Sequence, residues 1–147
     1  MKIRKYKKLD EKEIKELITS CLIETYKKSP IKKFEDFEDY SIFYVVEDKG
    51  KIIGCAGLED EGKNIGKLRR LYINKNFRKN GLGTKLLKKI ELFALKKRFN
   101  KIILSTNKKL EGTIKFYQKN GFKIYKEEAH PWGGKRLLME KKLCSKY

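Results

Sequence analysis

The stretch that decides the fold runs from the apolar triplet Leu71-Tyr72-Ile73 through a four-residue loop to Arg78-Lys79-Asn80-Gly81-Leu82-Gly83-Thr84. The triplet predicts the end of a strand. A long amphipathic helix is predicted next, because apolar side chains recur on one face at positions 82, 86, 87, 90, 93 and 94. The turn between them would present backbone N–H groups without intrahelical partners at the positive end of the helix dipole. The stretch therefore predicts an anion site.

Phosphate is the anion that this turn fits best. Gly81 and Gly83 let the backbone curl towards an oxygen, and Arg78 and Lys79 add positive charge. The spacing matches neither GxxxxGK[ST] nor GxGxxG, which disfavours a nucleoside triphosphatase and a dinucleotide-binding fold. The alternative is a glycine-rich turn that only starts a helix.

The rest of the chain alternates strands and helices. Asp10 and Glu13 have the spacing of a capping box and predict a helix over residues 10–27, which ends before Ser29-Pro30. The hairpin turn Asp48-Lys49-Gly50 indicates an antiparallel pair, and a strand–helix–strand crossover over residues 67–105 indicates a parallel pair. Strands are predicted at residues 1–8, 42–47, 51–58, 67–73, 101–105, 122–125 and 135–143, and further helices at 34–40, 81–97 and 111–120. The order predicts an α/β fold with a mixed sheet.

Length and composition exclude several classes of protein. At 147 residues one domain spanning 1–147 is expected, and a hydrophobic content of 39% is enough to form a core. No apolar run reaches the ~18–20 residues of a membrane span, and no signal-peptide stretch begins the chain, so a cytoplasmic location is expected. Cys21, Cys55 and Cys144 form no CxxC pattern and no Cys/His pattern with the single His130, so no metal site is expected.

The positive charge is confined to the second half of the chain. Residues 1–66 carry 14 basic and 14 acidic side chains, whereas residues 67–147 carry 24 basic and 5 acidic ones, which gives the whole net charge of +19. Such asymmetry indicates a polyanionic partner, either nucleic acid or a phosphate-rich cofactor. The alternative is a lysine-rich surface that is merely solvated, since 32 of the 38 basic residues are lysine.

The motif R-x-x-G-x-G, between the strand ending Leu71-Tyr72-Ile73 and its helix, resembles the acyl-CoA signature of the GNAT superfamily of N-acetyltransferases. A second element agrees with it: Asn107 is followed by Phe116-Tyr117-Gln118-Lys119-Asn120-Gly121-Phe122, which is similar to the family's FYxxxGF segment. These elements and the ending Met139-Glu140-Lys141-Lys142-Leu143 stand in family order over nearly the whole chain. The resemblance implies a single-domain GNAT-like fold, with a mixed, mostly antiparallel sheet flanked by helices.

The resemblance also implies a role for each matching residue. The pantetheine arm and acetyl carbonyl of acetyl-CoA would be held by Asn107 and by the backbone of Leu71, Tyr72 and Ile73. Tyr117 takes the place of the general acid that protonates the departing CoA thiolate; its alternative is a core aromatic residue. The pyrophosphate would be cradled, with Arg78 flanking, by the amides of Lys79, Asn80, Gly81, Leu82, Gly83 and Thr84.

One departure from the family pattern concerns the general base. Many members carry a glutamate at the start of the central strand, where this chain has Lys67. A substrate amine with a pKa of ~10 must lose a proton before it attacks. The candidates for the general base are a water chain, Glu59, Asp60 and Glu61. Transfer is expected to be direct from thioester to amine, because no Cys/His nucleophile pair is evident.

The first half of the chain, which has no net charge, suggests which kind of molecule accepts the acetyl group. It contains two acidic clusters, Glu35-Asp36/Glu38-Asp39 and Glu59-Asp60-Glu61, which favour a primary amine on a cationic small molecule or peptide. Solvated acidic loops are the alternative. Two other functions stay open: a basic nucleic-acid-binding module that uses Arg69, Arg70 and Arg78, and a GNAT protein that binds acyl-CoA without catalysis. The resemblance to the family also implies that the protein can form a homodimer.

Overall fold

The glycine turn lies between a strand and a helix in the computed structural model, which describes residues 1–143. Cys144 lies outside the described residues. Single 3₁₀ turns occupy Lys8–Asp10, Phe37–Asp39 and Lys75–Phe77. The helices are α1 (Glu11–Tyr26), α2 (Leu82–Lys96) and α3 (Glu111–Lys119). The strands are β1 (Lys2–Lys5), β2 (Ile42–Asp48), β3 (Lys51–Asp60), β4 (Ile65–Ile73), β5 (Lys101–Asn107), β6 (Lys123–Ala129) and β7 (Lys135–Lys142).

The predicted strand pairings are confirmed. The strands form a sheet in the order β1-β2-β3-β4-β5-β7-β6. β2 and β3 pair antiparallel across a two-residue turn, in which Lys49 (φ 51°) and Gly50 (φ 79°) both take the positive φ that suits a tight hairpin. β4 and β5 are the parallel pair, with Ile65 opposite Lys101. The predicted mixed, mostly antiparallel sheet with flanking helices is therefore correct.

The chain divides into two compact units. The first comprises Met1–Glu59 and Leu68–Phe93, and the second comprises Asp60–Lys67 and residues 94–143. The strand β4 contributes its last six residues to the first unit and its first three to the second.

An aromatic and aliphatic core fills the first unit. The apolar face of α1 packs with side chains of β2, β3 and the Phe37–Asp39 turn, as the helical spacing predicts. The rings of Phe37 and Phe43 lie 4.8 Å apart, and Tyr40 meets Phe43 edge-on at 5.1 Å. The face of α1 that reaches this core consists of Ile14, Leu17, Ile18, Cys21 and Leu22.

Two predictions around α1 are wrong. Asp10 makes no capping bond to α1; its carboxylate instead accepts from the Lys7 amide and pairs with Arg4 at 2.8 Å. An arginine within reach competes for that carboxylate, which sequence spacing does not show. The helix predicted at residues 34–40 is only the 3₁₀ turn Phe37–Asp39, because Asp36 accepts from the Glu38 amide and closes a tight turn.

The second unit has a smaller core. Ile102 and Leu104 of β5 and Leu137 and Met139 of β7 are buried. Phe122 is also buried and meets the ring of Tyr117 edge-on at 5.6 Å. None of the helices in residues 1–143 is long and apolar enough to cross a membrane.

Gly57 in β3 is expected to tolerate no side chain. A Cβ at this position would lie 2.5 Å from the ring of Tyr40 and 2.7 Å from that of Phe43. Replacing Gly57 with alanine should lower the free energy of unfolding by about 2 kcal/mol, measured by urea denaturation, because the two rings must move apart.

The matched control is Gly112→Ala in α3. A Cβ there meets nothing within 4 Å. This variant should be neutral, or more stable by about 0.5–1 kcal/mol, because alanine is the better helix former. An equal decrease in the free energy of unfolding of both variants would show that the rings of Tyr40 and Phe43 do not restrict the side chain at position 57.

Candidate functional site

The glycine turn has the geometry of an anion cradle. After β4 the chain makes the Lys75–Phe77 turn, and the side chain of Asn74 accepts from the amide of Asn76. Lys79 (φ 67°) and Gly81 (φ 78°) then take left-handed conformations that redirect the chain into α2. The first helical hydrogen bond runs from Lys85 N to Gly81 O at 3.1 Å.

The first turn of α2 therefore offers three amides that helix geometry leaves without an intrahelical partner, those of Leu82, Gly83 and Thr84. Lys79, Asn80 and Gly81 are exposed beside them, whereas the side chain of Leu82 is buried and anchors the helix. A phosphate at this position would meet N–H donors and the positive end of the α2 dipole.

Arg78 is bound to groups of its own chain. Its Nε donates to the carbonyl of Ile73 at 2.8 Å, and its two terminal nitrogens donate to the carboxylate of Glu24 at 2.9 and 3.1 Å. One of them also lies 3.6 Å from Cys21 Sγ. The guanidinium group thus links α1 to the end of β4.

The middle of β4 is locally strained. Arg70 has a φ of 60°, a conformation that non-glycine residues rarely adopt within a strand. The thiol of Cys55 donates to the Arg70 carbonyl at 3.2 Å. Gly54 allows close approach to the end of β4, because a Cβ there would lie 2.9 Å from Ile73 Cδ1.

The side chain of Arg70 belongs to a half-buried ionic cluster with Glu35, Tyr40 and Phe34. Arg70 donates two hydrogen bonds of 2.8 Å to Glu35, and the hydroxyl of Tyr40 donates to the same carboxylate at 2.5 Å. The ring of Phe34 lies 5.8 Å from the guanidinium carbon. Only 9% of the Arg70 side chain is exposed. The Arg70–Glu35 cluster therefore ties the segment after α1 to the strained point of β4.

Hydrogen bonding sets the ionisation of this cluster. Burial opposes the charge on Glu35, but the bonds from Arg70 and Tyr40 outweigh it and lower the pKa of Glu35 from 4.5 to about 2. Burial, and then the bond to Glu35, raise the pKa of Tyr40. Glu35 is therefore a permanent anion at neutral pH and has too low a pKa to serve as a general base.

The second acidic cluster also makes local contacts. Glu59 pairs with Arg69 at 3.2 Å. Asp60, which belongs to the second unit, accepts from the amide of Gly62 at 2.8 Å and closes a turn. Glu61 is exposed. Lys67 is partly buried at the position where the family pattern has a glutamate.

The second unit holds the two remaining predicted site residues. Asn107 ends β5 and is buried, and its side-chain oxygen accepts from the amide of Lys109 at 2.9 Å. Tyr117 lies in α3 and is buried, with its ring edge-on to Phe116 at 5.2 Å. Both the catalytic role and the core role predicted for Tyr117 remain compatible with this position.

Three contact residues of the first unit were not identified from the sequence as site residues: Glu24, Tyr40 and Phe34. The partners Arg78 and Glu24 are 54 positions apart, and Arg70 and Glu35 are 35 apart. No periodicity or motif connects positions so distant. The acidic cluster of residues 35–39 is the one signal in the sequence near these contacts, and by itself it predicts an acceptor surface.

Comparison with known proteins identifies a family. A model of the acetyltransferase (GNAT) family matches residues 11–122. The probable N-acetyltransferase 14 of Xenopus tropicalis is 33% identical over 84 residues, which is 56% of this chain and 41% of that protein. The chain thus spans under half the length of this relative.

Solved structures share the fold. The crystal structure of an acetyltransferase from Streptococcus agalactiae 2603 superimposes with a TM-score of 0.83 at 23% identity, covering 97% of this chain and 98% of that one. A GNAT family acetyltransferase from Elizabethkingia anophelis, solved with acetyl-CoA bound, has a TM-score of 0.74 at 19% identity, with 97% of both chains covered.

Replacing Glu35 with glutamine is expected to destabilise the protein at neutral pH by about 2 kcal/mol, because the Arg70 charge then remains half-buried without its counter-ion. The pKa of Glu35 is lower in the folded protein than in the unfolded chain. Its stabilisation is therefore complete above about pH 4.5 and is lost as the pH falls towards 2. Urea denaturation at pH 7 and pH 3 measures both effects.

The matched control is Glu59→Gln, which removes a more exposed ion pair with Arg69. This variant should lower the free energy of unfolding by less than about 1 kcal/mol. If Glu35→Gln kept wild-type stability at both pH values, the Arg70–Glu35 cluster would not be what holds this segment.

Proposed function

The chain belongs to the acetyltransferase (GNAT) family, and on that premise we propose that it is an acetyl-CoA-dependent N-acetyltransferase acting as one domain. It moves an acetyl group directly from the CoA thioester to a primary amine. The sulfur–carbon bond breaks as the nitrogen–carbon bond forms; the nitrogen loses a proton and the sulfur gains one.

The observation that carries this proposal is the glycine turn at the start of α2. Its exposed backbone, its left-handed Lys79 and Gly81 and the three N-terminal amides of α2 fit a pyrophosphate group. The surplus of positive charge in residues 67–147, which include this turn, favours the several phosphate charges of CoA.

Each group of the chain has a defined task in the proposal. The amides of residues 79–84 hold the pyrophosphate, and Arg78 stands at the entrance of the turn. Backbone groups of Leu71, Tyr72 and Ile73, with Asn107, hold the pantetheine arm. An N–H group of this strand stabilises negative charge on the acetyl oxygen. Tyr117 protonates the leaving thiolate.

Direct transfer agrees with the state of the described cysteines. Cys55 is fully buried, and burial raises the pKa of its thiol. Burial also raises the pKa of Cys21 despite the nearby Arg78. Neither thiol is therefore suited to carry the acetyl group as a nucleophile. These free thiols are in keeping with a reducing, cytoplasmic compartment.

The proposal also specifies the chemical class of the acetyl acceptor, which is a cationic amine. Glu35 and Glu59 are neutralised by Arg70 and Arg69, so they contribute little to an acceptor surface. Glu38 and Asp39 are exposed. Together with Asp36, they form the acidic surface that a polyamine or lysine side chain would meet. The general base remains open between water and the carboxylates of residues 59–61.

The nucleic-acid alternative has less support from the arginines. Arg69, Arg70 and Arg78 are each paired with a carboxylate, so none offers an unpaired guanidinium group to a phosphate backbone. A non-catalytic acyl-CoA-binding protein is the second candidate, and turnover separates it from the enzyme.

Calorimetric titration with acetyl-CoA at near-physiological salt tests the proposal, with ADP and a short DNA duplex as comparators. Saturable binding of acetyl-CoA, tighter than either comparator and persisting at this salt concentration, is expected, because the amides of the turn recognise the pyrophosphate by geometry as well as by charge. Release of CoA in the presence of spermidine then tests transfer. Binding without turnover on any amine supports the non-catalytic alternative, and salt-sensitive DNA binding alone overturns the proposal.

The acceptor surface is tested with the double variant Glu38→Gln/Asp39→Asn. The KM for spermidine should rise about threefold to tenfold while the Kd for acetyl-CoA stays constant, because exposed charges attract a cation by about 0.3–0.7 kcal/mol each. Glu13→Gln/Glu16→Gln, at two exposed positions of α1, is the charge-matched control. A KM equal to that of the wild type would remove the support for a cationic acceptor.

A further inference from the structure

Arg78 occupies the junction between the strand and the glycine turn. It is followed directly by Lys79, the first left-handed residue of the turn, and it begins the R-x-x-G-x-G motif. The resemblance to the family implies that its charge flanks the pyrophosphate. The contacts of its guanidinium group indicate a different use of that charge.

Most N–H groups of the guanidinium group already bond to groups of the protein. Nε donates to the Ile73 carbonyl, and the two terminal nitrogens donate side by side to the two oxygens of Glu24, at 2.9 and 3.1 Å. A two-pronged pair of this kind has fixed geometry and charge-assisted bonds. A phosphate could gain these donors only by displacing the Glu24 carboxylate.

The pair also cancels the charge of Arg78. Glu24 belongs to α1, so the pair spans two elements of the first unit that are remote in sequence. Lys79 and Lys85 are exposed on the turn and on the first turns of α2, respectively. The positive charge near the cradle therefore comes mainly from lysines and helix amides, because Glu24 offsets the charge of Arg78.

We propose that Arg78 is a positioning residue, which with Glu24 fixes the end of β4 to α1 and so sets the starting point of the glycine turn. The proposal rests on the proposed function, because it concerns how the turn binds acetyl-CoA. The amides of the turn follow Arg78 by one to six residues through two left-handed positions. A shift at Arg78 therefore displaces every donor of the cradle.

Glu24→Gln distinguishes this role from direct phosphate contact, because the two roles predict opposite changes in the affinity for acetyl-CoA. If Arg78 positions the turn, loss of the Glu24 charge loosens the junction and weakens acetyl-CoA binding about threefold to tenfold in calorimetry. If Arg78 contacts phosphate, the variant frees the guanidinium group and removes a nearby negative charge, so binding tightens.

The matched control is Glu16→Gln, which makes the same change of charge on α1 two helical turns away, at an exposed position. Its Kd should equal that of the wild type. An identical shift in both variants means a general charge effect and overturns the proposal, as does an unchanged or tighter Kd for Glu24→Gln.

Two further measurements exclude a merely structural role. Arg78→Gln and Arg78→Gln/Glu24→Gln should have the same Kd, because the second change removes nothing further once the pair is broken. The salt dependence of acetyl-CoA affinity should keep its wild-type slope in Arg78→Gln, whereas loss of a phosphate contact would flatten it. Additive effects or a flattened slope contradict the positioning role.

Wild-type protein separates this inference from the proposed function. If the wild type binds no acetyl-CoA, the proposed function fails. If it binds and Glu24→Gln binds equally well, only the role of Arg78 fails. Circular dichroism of each variant at the titration temperature verifies that the compared proteins are folded.

Discussion

The pairing of Arg70 with Glu35 is the interaction on which the shape of β4 depends. A left-handed arginine within a strand costs on the order of 1–3 kcal/mol, and it persists only where surrounding contacts determine it. Here the carboxylate of Glu35 draws the side chain to one side, and the thiol of Cys55 bonds its carbonyl. The residues that follow, Leu71 to Ile73, take their direction from that point.

The arginines near the candidate site bind to the protein itself. Arg69, Arg70 and Arg78 hold Glu59, Glu35 and Glu24, so each connects β4 or its turn to another segment of the first unit. Planar guanidinium groups suit such fixed geometry, whereas lysines are flexible point charges. The excess positive charge of residues 67–147 is then carried chiefly by lysine, and the directional hydrogen-bond donors of the glycine turn are backbone amides.

Local patterns predicted most of the fold. The period of apolar residues predicted α1 and α2, Lys49-Gly50 predicted the hairpin, and the glycines predicted the turn, because each depends on neighbours in sequence. The failures involve distant partners. Asp10 could not be distinguished from a helix cap, since the competing Arg4 is a tertiary contact; likewise, nothing in the spacing of Glu24 and Arg78 reveals their pair. Sequence therefore indicates which groups are present at the site, and the structure indicates which of their charges are already neutralised.

The division of the chain into two units has a consequence for biosynthesis. Residues 60–67 belong to the second unit, yet they precede residues 68–93 of the first. On a ribosome, the first unit lacks the end of β4 and its part of α2 until residues 68–93 have emerged, and the second unit lacks β7 until residues 135–142 have emerged. Neither unit is a continuous segment, so the apolar strand β3 stays uncovered until residues 68–93 emerge and complete the first unit. Because residues 1–66 carry no net charge, this early segment has no net electrostatic repulsion to keep nascent chains apart.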